Sequence, residues 1–340
     1  MLLEPPLVHA PEFEQGPWIQ TPSPVRIEDL HGRVTLVNFW DYTCINCVRT
    51  LPYLRAWFDL YRESGFEIVG IHAPEFPFAR DLRQLRAAVG RLGIRWPVLL
   101  DNDQRMWTSY ANRYWPTMYL IDPRGYIRYQ RAGEGAYDQT ERAIRSLLEE
   151  TTPRPALPPS IGNLRAEDSA GAVCAPVSPE LQIDSVAGAK DLGPPPVQLE
   201  EGRIYPKGEW LASRGGLSLV GPGPGDIELP FRAAEVYAVL SSGPDEKALP
   251  PDPVRALIHL DGRPLPSENF GADVFGENGL AWLRVDGPRL YHVAAHLTPV
   301  RHSLSLHVET PGWTLYSFSF ATCLVPNSPF PADREEARRC

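Results

Sequence analysis

No apolar run in this sequence reaches the roughly 18 residues that a bilayer-crossing helix needs, because Arg, Asp or Pro interrupts each candidate. A helical membrane span is not expected. Positive charge is also short: 33 basic residues face 42 acidic ones, and the resulting net charge of −9 repels phosphate backbones, so nucleic acid is not an expected partner. The amino terminus, Met1-Leu2-Leu3-Glu4-Pro5-Pro6, has neither a basic start nor a long apolar stretch, so no cleavable signal peptide is read and a cytoplasmic location is expected. Cysteine is scarce and odd in number. Of the five, Cys174, Cys323 and Cys340 stand alone, and a disulfide framework would leave at least one thiol over, which argues against a small stapled secreted fold.

What is abundant is proline, 37 residues where average usage gives roughly half as many, and its placement marks the organisation of the chain. Between Val34 and Glu150, short β-branched runs alternate with stretches of helical spacing. Strands are expected at 34–39, 67–72, 97–100, 117–121 and 126–131, and helices at 48–61, 79–92, 103–112 and 138–149. That alternation predicts a mixed α/β sheet over residues 1–152. Residues 153–202 read as a Pro-rich linker, with short pieces at 161–164 and 181–183 able to dock locally. Residues 203–322 carry eight alternating runs separated by turn signals such as Asp261-Gly262 and Pro311-Gly312, the pattern of an all-β antiparallel sandwich. Residues 323–340 read as a disordered tail.

The chemistry sits in Cys44-Ile45-Asn46-Cys47, at the junction of an expected strand and an expected helix. At a helix N-terminus, unsatisfied amide groups and the helix dipole favour a thiolate, which marks Cys44 as an attacking nucleophile. Cys47, one turn further on, reaches back to close a disulfide. Zinc sites use the same spacing, but they need a second ligand pair and none stands in this segment, so no metal is expected. A pair of packed core thiols is the plain alternative.

The span from Pro22 to Glu150 resembles the thioredoxin-like superfamily, and within it the TlpA/redoxin branch. Phe39-Trp40-Asp41-Tyr42-Thr43-Cys44-Ile45-Asn46-Cys47, Pro52 and Trp115-Pro116-Thr117 stand where that family has its Cys-X-X-Cys loop, its helix-kinking proline and its cis-proline loop. Residues 79–100 are similar to the family's central insert. Thr43 to Pro52 and His72-Ala73-Pro74-Glu75-Phe76 look like the extracytoplasmic part of the DipZ-type proteins, in which a thioredoxin-like domain precedes a galactose-binding-like, jelly-roll β-sandwich. The resemblance implies a thiol-disulfide oxidoreductase acting on protein disulfides, with no cofactor beyond a redox-active Cys44–Cys47 disulfide. It implies an electron donor such as a separately encoded membrane conduit of the CcdA kind, and an extracytoplasmic location as the alternative to the cytoplasmic one. Trp40, Tyr42, Trp115, Pro116 and Thr117 would contact substrate. Thioredoxins keep a buried acid six residues before the first cysteine; here that position is Asn38, and Glu75 is the matching carboxylate of the TlpA branch.

Two other readings stay open. A thiol peroxidase shares the fold but wants Thr three residues before its cysteine, where this chain has Asp41. A non-enzymatic envelope protein would keep the pair as a permanent disulfide. In the sandwich, His259, His292, His296, His302 and His307 show no metal spacing, and Trp210, Trp282 and Trp313 are expected mostly as core, with a glycan or protein as the module's ligand.

Overall fold

The computed structural model describes residues 2–3, 7–151, 153, 156–169, 172, 174–183, 198–213, 215–242 and 254–322; the expected tail at 323–340 lies outside them. A seven-residue strand, β3 (Val34–Trp40), is buried at every position, so it shows no alternation of exposed and buried residues. A strand covered on both faces by helices reads this way. It lies at the centre of a seven-stranded sheet with β1 (Val8–His9), β2 (Trp18–Ile19), β4 (Phe66–His72), β5 (Val98–Leu100), β6 (Thr117–Ile121) and β7 (Tyr126–Ala132), in the order β1-β7-β6-β3-β4-β5-β2. β3 runs parallel to β4 and antiparallel to β6, as mixed α/β topology requires. The helices are α1 (Ile45–Tyr61), α2 (Leu82–Arg91), α3 (Arg105–Ser109) and α4 (Tyr137–Glu149). α2 and β5 form the insert between β4 and the loop before β6. Pro52 sits inside α1, where it withholds one hydrogen bond of the helix ladder.

The chain divides into two units, Met1–Asp168 and Ser169–Cys340, and the division falls inside the Pro-rich stretch. Its first part packs on the first unit. The Ile161 amide donates to Glu141 (2.8 Å), the Leu164 amide donates to the Tyr53 hydroxyl (2.9 Å), and that hydroxyl donates to Asp168 (2.6 Å). Arg165 closes the arrangement with Glu134 at 2.6 Å and Asp168 at 2.8 Å. Its later part belongs to the second unit, where the Ser178 amide donates to the Arg232 carbonyl and β8 (Leu181–Gln182) pairs with a sandwich strand.

The second unit is a pair of antiparallel sheets. One contains β8, β10 (Trp210–Ser213), β11 (Gly216–Leu219), β13 (Glu235–Ser241), β18 (Arg289–Ala294) and β20 (Thr314–Ala321). The other contains β9 (Tyr205–Lys207), β12 (Gly225–Arg232), β14 (Val254–Leu260), β15 (Arg263–Pro264), β16 (Val274–Glu277), β17 (Leu280–Val285) and β19 (Arg301–Val308). Alternate residues point inward: Ala256 and Ile258 of β14, Leu304 and Leu306 of β19, and Leu229 and Phe231 of β12 share one core with Trp313. Trp313 is therefore core, Trp210 is half-buried against it (ring centroids 6.0 Å apart), and Trp282 lies half-buried on the outer side of β17.

Candidate active site

Three loops meet at one edge of the first sheet because register brings them there. Trp40 pairs with His72 across β3 and β4, and Phe39 pairs with Thr117 across β3 and β6, so the segments 41–44, 73–76 and 114–116 leave the sheet side by side. Cys44 takes the N-cap position of α1, with extended backbone, and its sulfur accepts the Cys47 amide hydrogen at 3.4 Å. It is half-buried, whereas Cys47 is 1% exposed. Both are free thiols. Burial, then the hydrogen bond and charge of the Cys44 sulfur, push the Cys47 thiol well above its ordinary pKa.

The charge that bears on Cys47 beyond its partner is that of Asp41, whose backbone also hydrogen-bonds to it. Asp41 is fully buried, and its carboxylate clamps two of the three loops. One oxygen accepts the Thr43 amide and hydroxyl, each at 2.8 Å, and the other accepts the Glu75 amide at 2.6 Å. The His72 ring approaches to 3.6 Å, too long for a hydrogen bond. Burial by itself raises the Asp41 pKa; the nearby His72 ring and the hydrogen bonds from the Thr43 and Glu75 amides outweigh it and hold the carboxyl below the usual aspartate value.

Trp40 and Tyr42 are 0% and 2% exposed, which corrects the expectation that they contact substrate. They enclose His72 instead, Trp40 edge-on and Tyr42 stacked, each with ring centroids 5.3 Å away. Gly70 makes this packing feasible, since a Cβ there would lie 3.1 Å from the Trp40 indole nitrogen and 3.3 Å from that of Trp96. Glu75 is half-buried, and its backbone amide is the donor to Asp41.

The Trp115-Pro116 bond is cis. Trp115 is half-buried, its indole nitrogen donates to the Ala73 carbonyl at 3.0 Å, and its ring lies 4.2 Å from that of Trp107. Thr117 is buried, with its hydroxyl donating to the Tyr114 carbonyl at 2.8 Å, and Tyr114 itself is 61% exposed. Sequence reasoning misses Asp41, His72, Trp107 and Tyr114 as members of the site. The signal for Asp41 is local: Asp-Tyr-Thr after a wholly apolar run is an Asx-turn pattern ahead of a helix. His72 carries no such signal, because only sheet register brings it to Asp41.

Residues 7–130 match the AhpC/TSA family, and residues 191–321 match a thioredoxin-like C-terminal domain. Over 143 residues the chain is 41% identical to Protein DipZ of Mycobacterium bovis, a match that covers 42% of this chain and 21% of that protein. The chain thus spans about a fifth of the length of that relative. Against thiol-disulfide oxidoreductase ResA of Bacillus thuringiensis, identity is 30% over 129 residues, 38% of this chain and 69% of ResA. A solved thiol-disulfide isomerase from Corynebacterium glutamicum is 25% identical with a TM-score of 0.38, over 42% of this chain and 98% of that one. By its matched domains, their order and these relatives, the chain belongs to the thioredoxin-like thiol-disulfide oxidoreductases, with a redoxin domain followed by a β-sandwich.

Proposed function

We propose that the chain reduces protein disulfides through a mixed-disulfide intermediate, and the observation that carries this is the asymmetry of its two thiols. Cys44 is reachable at a helix N-terminus; Cys47 is enclosed and held protonated. The Cys44 thiolate attacks one sulfur of a substrate disulfide, forming a new S–S bond while the other substrate sulfur leaves and takes a proton. Cys47 then loses its proton and attacks Cys44, which forms the Cys44–Cys47 disulfide and releases the second substrate sulfur. Two electrons have passed to the substrate. A dithiol donor returns them by the reverse sequence, and we take a separately encoded membrane conduit of the CcdA kind as its class. No cofactor other than this cysteine pair enters the cycle.

In this reading the half-buried Trp115 bounds the substrate groove, Pro116 and Thr117, both buried, hold its loop, and the Asp41 charge bears on the proton of Cys47. Cys174 is disulfide-bonded, which favours an oxidising, extracytoplasmic setting over a cytoplasmic one. A peroxidase reading is disfavoured by Asp41, a buried carboxylate where a peroxidatic site has Thr. The decisive experiment is mass spectrometry of partners trapped on Cys47→Ser. Covalent adducts through Cys44 that vanish in the Cys44→Ser/Cys47→Ser double variant support the mechanism. Undiminished insulin reduction by Cys44→Ser overturns it.

A further inference from the structure

The second unit holds a cleft of about 750 Å³ lined by Arg255, Asp273, Phe275, Arg284, Asp286 and Arg289 among others. Its charge is unevenly satisfied. Arg289 takes both carboxylates, Asp273 at 2.8 Å and Asp286 at 2.9 Å, and is only 12% exposed. Arg255 binds Glu277 at 2.6 Å and lies over the Phe275 ring at 5.2 Å. Arg284 makes no ion pair among the described residues, and it stands directly opposite Arg255 in the register of β14 and β17. Like charges facing each other across neighbouring strands destabilise a sheet. A lone surface arginine needs no explanation, but here two exposed arginines among the cleft's lining face each other, and only Arg255 has a carboxylate partner, so the Arg284 charge is left for a bound anion to meet. Guanidinium forks match carboxylate and phosphate oxygens in bidentate fashion, and the volume suits a ligand larger than a bare ion.

We propose that this cleft binds an oxyanion group, carboxylate or phosphate, of a small ligand, with Arg284 and Arg255 as its two contacts. The site is separate from the thiol chemistry and needs none of it. Titration calorimetry of the full chain with inorganic phosphate, with glucuronate and with neutral glucose tests it. Saturable binding of phosphate, glucuronate or both supports the proposal, and which of them binds identifies the source of the oxyanion. Arg284→Gln should weaken that binding about tenfold or more, whereas Arg263→Gln, an exposed arginine of β15, should leave it unchanged. Because Arg284→Gln lifts a like-charge contact, its unfolding temperature should hold or rise, so lost binding is not lost fold. Arg284→Lys keeps the charge without the fork and should fall between the two. Absence of saturation with either anion, glucose binding as tight as glucuronate, or unaltered affinity in Arg284→Gln overturns the proposal.

Discussion

At the scale of single residues, the two thiols differ in what surrounds them more than in their chemistry. Iodoacetamide at neutral pH should label Cys44 first and leave Cys47 until the chain unfolds, because Cys47 is buried and its thiol is pushed up. Peptide mapping after brief exposure checks this, and equal labelling of the pair would contradict it. Asp41 has a second measurable signature. Its folded pKa lies below the ordinary 3.8, so its ionised form stabilises the fold above that pH, and this contribution is lost as pH falls through the lower folded value. Asp41→Asn should therefore flatten the loss of stability under acid. It should also cost about 1 to 3 kcal/mol near neutral pH, since one amide loses its acceptor. With the negative charge gone from beside Cys47, the alkaline rise in the resolving step should move to lower pH. An unmoved profile would assign Asp41 to loop geometry alone. The cysteines are legible in the sequence because their meaning is in their spacing. Asp41 with His72 is not, because its meaning is in a pairing between strands some thirty residues apart.

At the scale of elements, the long strands and helices follow from periodicity, and the observed bounds of β6 match the expected run at 117–121 residue for residue. β1, β2, β8, β9, β10, β15 and β16 escape such reading, since their two to four residues, unlike the apolar run of β5, hold too little pattern to separate strand from loop. The local docking expected at 161–164 is seen, and it extends to 168, closing over α1 and α4 through Tyr53, Glu141 and Arg165, which composition does not show. A chain ending at Asp168 should fold with a higher unfolding temperature than one ending at Glu150, which loses the Tyr53–Asp168 and Ile161–Glu141 bonds. Calorimetry of the two decides, and equal temperatures would make the segment a passenger.

At the scale of the whole molecule, two units with separate cores should melt in two transitions. In the Cys44→Ser/Cys47→Ser variant, dithiothreitol should lower only the transition of the second unit, because its Cys174 is disulfide-bonded. A shift in the first-unit transition, assigned with a chain ending at Asp168, would contradict this. The pairing of β3 with β6 also has a bearing on biosynthesis. Cys44 and Cys47 are translated about seventy residues before the Trp115-Pro116-Thr117 loop that flanks them, an interval of seconds at ribosomal speeds of about 5 to 20 residues per second. During that interval the nascent chain carries two thiols without the loop that flanks them in the folded sheet, so their surroundings in the unfinished chain differ from those in the folded one.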